Sequence, residues 1–145
     1  SANLTQANLQ GASLGQVKAA AAQLTSANLS QSDWREADLS RSNLSRANLR
    51  DANLSQAQLQ NANLRDAMLI DVNLQGANLA GADFQGVMFL PAPPVRSDNF
   101  IETEQKYEAT DALRGVDFRR VRNLSREQIQ YICVQGGIHS RCVDR

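Results

Sequence analysis

From Leu4 to Phe89, every fifth residue is a large apolar one, with a single lapse. Of these eighteen centres, fourteen are Leu; the others are Trp34, Phe84, Phe89 and the lapse, Ala19. Two residues before the centre stands Ala thirteen times, with Ser at 32 and 42 and Val at 17, 72 and 87. Between the two stands Asn nine times and Asp three times. A fixed period held over so many units is the signature of a repeat architecture.

Five residues fit neither regular element. An α-helix turns about 100° per residue, so a five-residue step scatters the Leu around the axis. On a flat strand an odd step sends successive Leu to opposite faces. The chain must therefore turn once per repeat. The Ala-Asn-Leu triplet alternates small-in, polar-out, large-in, as a short strand does. The next two positions make a corner, where glycine at 11, 76, 81 and 86 takes positive φ cheaply. Corners of one kind wind a chain into a solenoid, so the reading is an all-β solenoid. Residues 15–23 are the weakest stretch; they are read as a degenerate coil in preference to a helical excursion, because the register survives across them.

The chain has 145 residues, enough for one compact domain plus an appendage. Lys and Arg number 15, Asp and Glu 15, and the repeat block carries six basic against seven acidic residues. That balance argues against a polybasic surface, so no nucleic acid is expected as a partner. No apolar run approaches the length of a membrane span. No segment reads as a signal peptide, and the chain opens inside a repeat at Ala2, which is read either as a processing point or as a trimming boundary.

Leu90-Pro91-Ala92-Pro93-Pro94 stops the repeat, since proline cannot donate to a ladder. The organisation expected is a repeat block over 1–91 and a capping segment over 92–145. Residues 98–112 suit a helix, with Ser97 or Asp98 as N-cap and Phe100, Ile101 and Tyr107 as its apolar contacts. Repeat grammar returns at Leu113 and Phe118, with Val116 and Asp117 in their proper places. A second helix is expected over 126–135, with Ser125 and Gln128 as capping box, Leu124 and Ile129 as hydrophobic staple, and Gly136-Gly137 as stop. Ile129, Ile132 and Cys133 should face inward, and the tail should cover the open solenoid end.

The runs Ala47-Asn48-Leu49-Arg50-Asp51 and Ala52-Asn53-Leu54-Ser55-Gln56 resemble the pentapeptide-repeat family, whose signature is A(D/N)LXX. The resemblance covers residues 2–91. It implies a right-handed quadrilateral β-helix with four repeats per coil, here followed by a small C-terminal α-helical cap. Eighteen repeats then make four and a half coils, roughly 22 Å tall at strand spacing. Residues twenty apart would stack, so Leu4, Leu24, Leu44, Leu64 and Phe84 share one interior column, and Ala19, Leu39, Leu59 and Leu79 another. The repeats, the Asn-Leu-Ser-Arg-Glu-Gln-Ile helix and two late cysteines together resemble cyanobacterial or thylakoid-lumen members. They imply a non-enzymatic structural or protein-interaction module in the lumen or periplasm, with the cytoplasm as the alternative. The expected state is a monomer or weak homodimer with an unnamed protein partner. The alternative function is a DNA-mimicking, gyrase-interacting protein, from which the nearly neutral repeat block departs.

Few residues qualify as chemical sites. Cys133 and Cys142 are the only cysteines and are read as a disulfide, with two reduced thiols as the alternative. His139 is the only histidine, and two Cys with one His cannot complete a zinc site, so no metal or other cofactor is expected. No Ser-His-Asp or Cys-His arrangement is legible, so no catalytic residue is assigned. The repeated Asn and Asp are read as holding corner backbone groups. Trp34 is read as a core member rather than a ligand platform, its volume offset by the small Ala19. One surface anomaly stands out. Met68 and Met88 occupy the outward slot where Asn is usual, and Ile70 and Leu90 an outward corner slot. The resemblance places all four on one wall. The tail is expected to cover them through Phe100, Ile101 or Tyr107; the other reading is a docking surface for a partner or second copy.

Overall fold

A computed structural model of the chain describes residues 1–91 and 107–143. Backbone pairing is parallel and steps by twenty residues, as in Asn3↔Gln23, Gln23↔Asn43, Asn43↔Asn63 and Asn63↔Asp83. Four five-residue units therefore complete one coil. Residues 15–23 keep this register, through Lys18↔Asp38 and the Ala19 and Ala21 amides, which donate to Asp38 O and Ser40 O at 2.8 Å.

One repeat shows why the coil is stable. Leu44 N–H donates to Asn63 O at 2.7 Å and Arg46 N–H to Arg65 O at 2.8 Å. In the other direction along the axis, Asn48 N–H donates to Ala27 O at 3.0 Å. Ala47 N–H closes the corner onto Leu44 O at 3.0 Å. The fifth donor, Ser45 N–H, reaches the Asn43 Oδ1 at 3.0 Å. Every amide of the unit is thus satisfied, as a backbone wound around a dry interior requires. From residue 6 to residue 86 the second corner residue has positive φ, 55° to 61° at thirteen non-glycine positions from Gln6 to Asp71.

The interior is closed. Leu24, Leu29, Leu39, Leu44, Leu49, Leu54, Leu59 and Leu64 are fully buried, and Trp34 is 1% exposed. Each such Leu contributes roughly 1.5–3 kcal/mol of transfer free energy. Trp34 Nε1 donates to Ser32 Oγ at 2.7 Å, so its polar edge is satisfied inside the core.

The tail continues the ladder before capping it. Asp83 pairs with Arg122 and Asp117 with Ile138, both in parallel. Leu113, Val116 and Phe118 are buried, as the returning repeat grammar predicts. Helix α1, Arg126–Val134, starts at a capping box: Gln128 N–H donates to Ser125 Oγ at 3.1 Å and Ser125 N–H to Gln128 Oε1 at 2.7 Å. Ile132 is fully buried and Ile129 nearly so. Past the helix, Gly137 lies so close to α1 that an added Cβ would sit 2.6 Å from Ile132 Cγ2.

The earlier helix expected over 98–112 is corrected in its described part. Residues 107–110 are irregular, and a turn follows at 112–115. The cause is Gln135, a buried side chain that supplies the partners a helix would have provided. Its Nε2 donates to Glu108 O at 2.7 Å, and its Oε1 accepts from Thr110 N–H at 3.0 Å and from the Thr110 hydroxyl at 2.5 Å. Ser97, Asp98, Phe100 and Ile101 lie outside the described residues.

Candidate functional site

The wall carrying the apolar anomaly is formed by Asn8, Asn28, Asn48, Met68 and Met88, paired in that order by parallel bridges. On the first three rungs the Asn Oδ1 accepts the amide two residues on, from Gln10, Ser30 and Arg50, at 3.1–3.2 Å. All twelve Asn and Asp of the middle slot do this, from Asn3 to Asp83. Methionine has no such acceptor, so Met68 and Met88 give up a structural hydrogen bond in exchange for apolar surface. Ile70 is buried at 6% exposure and Met68 half-buried, whereas Met88 and Leu90 remain 39% and 36% exposed.

Met88 and Leu90 border two adjoining grooves, whose lining includes neither Met68 nor Ile70. One, of about 380 Å³, runs between Met88, Phe89, Leu90 and Tyr107 on one side and Gln128 and Tyr131 on the other. The second, of about 340 Å³, shares Leu90, Tyr107 and Tyr131 and reaches Asp71 and Glu108. Phe89 stacks on Tyr131 with ring centroids 5.2 Å apart, and Tyr107 meets Tyr131 edge-on at 5.2 Å. Burial, Asp71 and Tyr107 hold the Tyr131 phenol above its ordinary pKa. Asp71, Glu108 and Glu127 line the two grooves, and no Lys or Arg is among the described residues lining them. Of the expected covering residues, Tyr107 lies at this wall and Phe100 and Ile101 fall outside the described residues.

Cys133 and Cys142 are joined by a disulfide, Cα atoms 5.2 Å apart, tying the last turn of α1 to the chain that follows Ile138. His139 Nδ1 accepts the Arg141 amide at 3.1 Å; burial and the Arg141 charge hold its pKa below the ordinary range. Among the described residues no three His, Cys, Asp or Glu are grouped to hold a metal ion. No helix among them is long and apolar enough to cross a membrane.

Three side chains make long-range contacts that had no signal in the sequence, although Gln128 was legible there as part of the capping box. Gln128 Nε2 donates to Phe84 O at 2.8 Å and Val87 O at 2.9 Å, and Gln135 clamps the 108–110 backbone. Asp83 is buried at 6% and accepts from Asn123 Nδ2 at 2.9 Å, with Arg122 at 3.6 Å and Arg65 at 3.9 Å. Phe84 and Phe89 did carry a signal: only the last two centres are Phe, and both rings pack against Phe118 of the tail at 6.0 and 6.4 Å.

Five-residue units, coils of four and corners held by Asn or Asp define the class as a β-helical solenoid. Residues 22–58 and 47–86 match the family model for pentapeptide repeats, in eight copies. A pentapeptide repeat protein from the thylakoid lumen of Arabidopsis thaliana is similar, with 31% identity and a TM-score of 0.58 over 66% of this chain and 62% of that one. A pentapeptide repeat protein of the cyanobacterium Cyanothece shows 40% identity and a TM-score of 0.58 over 60% of each chain. The chain thus spans under two thirds of the length of both structures. No curated protein matches it. Residues 22–86 thus carry the repeat of the pentapeptide-repeat family, and the solved pentapeptide-repeat neighbours imply a right-handed β-helix for the solenoid.

Proposed function

We propose that this quadrilateral β-helix with its helical cap is a non-enzymatic protein-interaction module, and that its contact surface is the wall of Met68, Ile70, Met88 and Leu90. The observation that carries the reading is the exposure of Met88 and Leu90 beside an aromatic groove, on a wall whose first three rungs are Asn. The polar side chains of the middle slot are engaged in holding corner amides, which leaves the faces rigid. The partner fitting the groove is a protein segment with apolar anchors next to Lys or Arg, complementing Asp71, Glu108 and Glu127. The compartment proposed is the thylakoid lumen or periplasm. The Cys133–Cys142 disulfide and the likeness to a lumenal protein of Arabidopsis support it.

Selection from a displayed random-peptide library against the whole protein tests the surface. Enriched peptides should pair apolar residues with Lys or Arg and bind a Met88→Ser, Leu90→Ser variant at least about tenfold more weakly, as expected when central apolar anchors are lost. Enrichment of acidic peptides, or binding indifferent to the two substitutions, sinks the reading.

A further inference from the structure

We propose that the segment taken by the Met88 and Leu90 wall is proline-rich and bound as a polyproline II helix, with an arginine beside its prolines; this rests on the reading of that wall as the contact surface. Strand addition is closed to this edge. Within the coils a further rung uses the carbonyl of the small residue as acceptor, as Asn48 N–H uses Ala27 O. At this wall that carbonyl is Val87 O, and Gln128 Nε2 already donates to it at 2.9 Å. A helix is no better accommodated, because with its side chains it is about 10–12 Å across and lies in one continuous trough. Here Leu90, Tyr107 and Tyr131 line both grooves and stand between them, so the surface is divided into slots of about 380 and 340 Å³. A polyproline II chain fits such a surface. Three residues per turn at about 3.1 Å rise put side chains i and i+3 on one face, about 9 Å apart, where they straddle the ridge.

The chemistry of the ridge agrees with that shape. Proline has no N–H, so it leaves no donor unsatisfied when it lies on apolar surface. Its carbonyls do need donors. Tyr131 is half-buried, stacked on Phe89 and met edge-on by Tyr107, which fixes its ring. The Tyr131 phenol has no hydrogen-bond partner among the described residues, and it can donate to a ligand carbonyl. Glu127 lines one groove and Asp71 and Glu108 the other; all three are exposed, and none is in an ion pair among the described residues. An acid thus belongs to each slot. Arginine suits these positions better than lysine, since its planar fork pairs with a carboxylate and also stacks on tyrosine.

The probe is a fluorescently labelled peptide, Arg-Ala-Pro-Pro-Ala-Pro-Pro-Ala-Arg, titrated with the whole protein and followed by anisotropy. A second peptide carries leucine in place of every proline. The proline peptide should bind saturably. The leucine peptide is more apolar but flexible and rich in N–H donors, and it should bind at least about tenfold more weakly. Tyr131→Phe keeps the ring and removes the donor, so it should weaken the proline peptide about two- to tenfold. Asp71→Asn combined with Glu127→Gln changes only exposed side chains; it should weaken binding by a similar factor at low salt and reduce its salt dependence. A proline peptide that does not bind, or that binds both of these variants like the wild type, overturns the proposal. If the leucine peptide binds as tightly and loses affinity in the Met88→Ser, Leu90→Ser variant, the polyproline class falls while the wall stands as contact surface. If the proline peptide binds that variant undiminished, the wall itself is the wrong site.

Discussion

At the second corner position, thirteen non-glycine residues hold the left-handed conformation that L-residues normally avoid. Such a conformation costs roughly 1–2 kcal/mol for a residue with a Cβ, and persists only where the surroundings over-determine it. Here the ladder does so, because the same residue donates its amide to the next coil, as Ala21 does to Ser40 O. Glycine at 11, 76, 81 and 86 made the slot legible in the sequence. The Gln, Arg, Glu, Ser and Ala in most other slots concealed it, since nothing local makes them favour positive φ, and Asn61 and Asp at 51, 66 and 71, which tolerate it, are too few to mark the slot. Ala21, at φ 57°, has no polar side chain to compensate, so glycine suits the site better. Ala21→Gly should therefore stabilise the protein by about 0.5–1 kcal/mol. The check is the midpoint of urea unfolding at unchanged slope; a lower midpoint contradicts the account.

Among the elements, α1 shows how a solenoid can be ended by side chains. Within the coils, each middle-slot amide donates to the carbonyl of the small residue one coil earlier, as Asn48 does to Ala27. At Val87 that donor is Gln128 Nε2, which takes the place of a further rung. The sequence made the local half of this residue legible, because the Ser125–Gln128 capping box spans three positions. The other half joins residues more than forty apart and has no local signature. The same holds for Gln135, whose clamp on Glu108 and Thr110 kept 107–112 out of the expected helix. Of the apolar wall, the spacing of Met68, Ile70, Met88 and Leu90 was legible from the period, whereas the grooves beside it depend on Tyr107 and Tyr131 packing across from the tail. Gln128→Leu leaves the Val87 carbonyl without its side-chain donor, and a buried polar group in that state costs about 1–3 kcal/mol. Thermal unfolding should show that loss with the secondary structure of the coils unchanged. A variant as stable as the wild type would mean that water replaces the amide.

For the molecule as a whole, the linked carboxylates set the pH range of stability. Hydrogen bonds to Arg35 hold Asp33 below its usual pKa, hydrogen bonds to Ser40 do the same for Asp38, and those to Arg119 bring Asp117 down to about 2. At Asp83 burial pushes the pKa up, but Asn123, the Gln85 amide, Arg65 and Arg122 together outweigh it and hold the pKa low. Each of these groups binds protons more weakly in the fold than in the unfolded chain. The stability they contribute is therefore present above the unfolded value of 3.8 and is lost as pH falls through the folded values, toward about 2. His139, also depressed, acts in the same direction from its ordinary 6.5 downward. Tyr131 is raised instead, so its contribution is complete below 10.0 and disappears above it. The unfolding temperature should be level between about pH 7 and 9, decline gently below 6.5 and fall steeply from about 4 to 2. Asp83 carries this effect into the architecture, because it joins the last full coil to Arg122 and Asn123 of the tail. Asp83→Asn retains an acceptor but not the charge, so it should lower the unfolding temperature at pH 7 and flatten the acid limb. Unfolding temperatures measured across this range in both proteins decide the matter: an acid limb of equal steepness in the variant would remove Asp83 from the set of groups that link pH to stability.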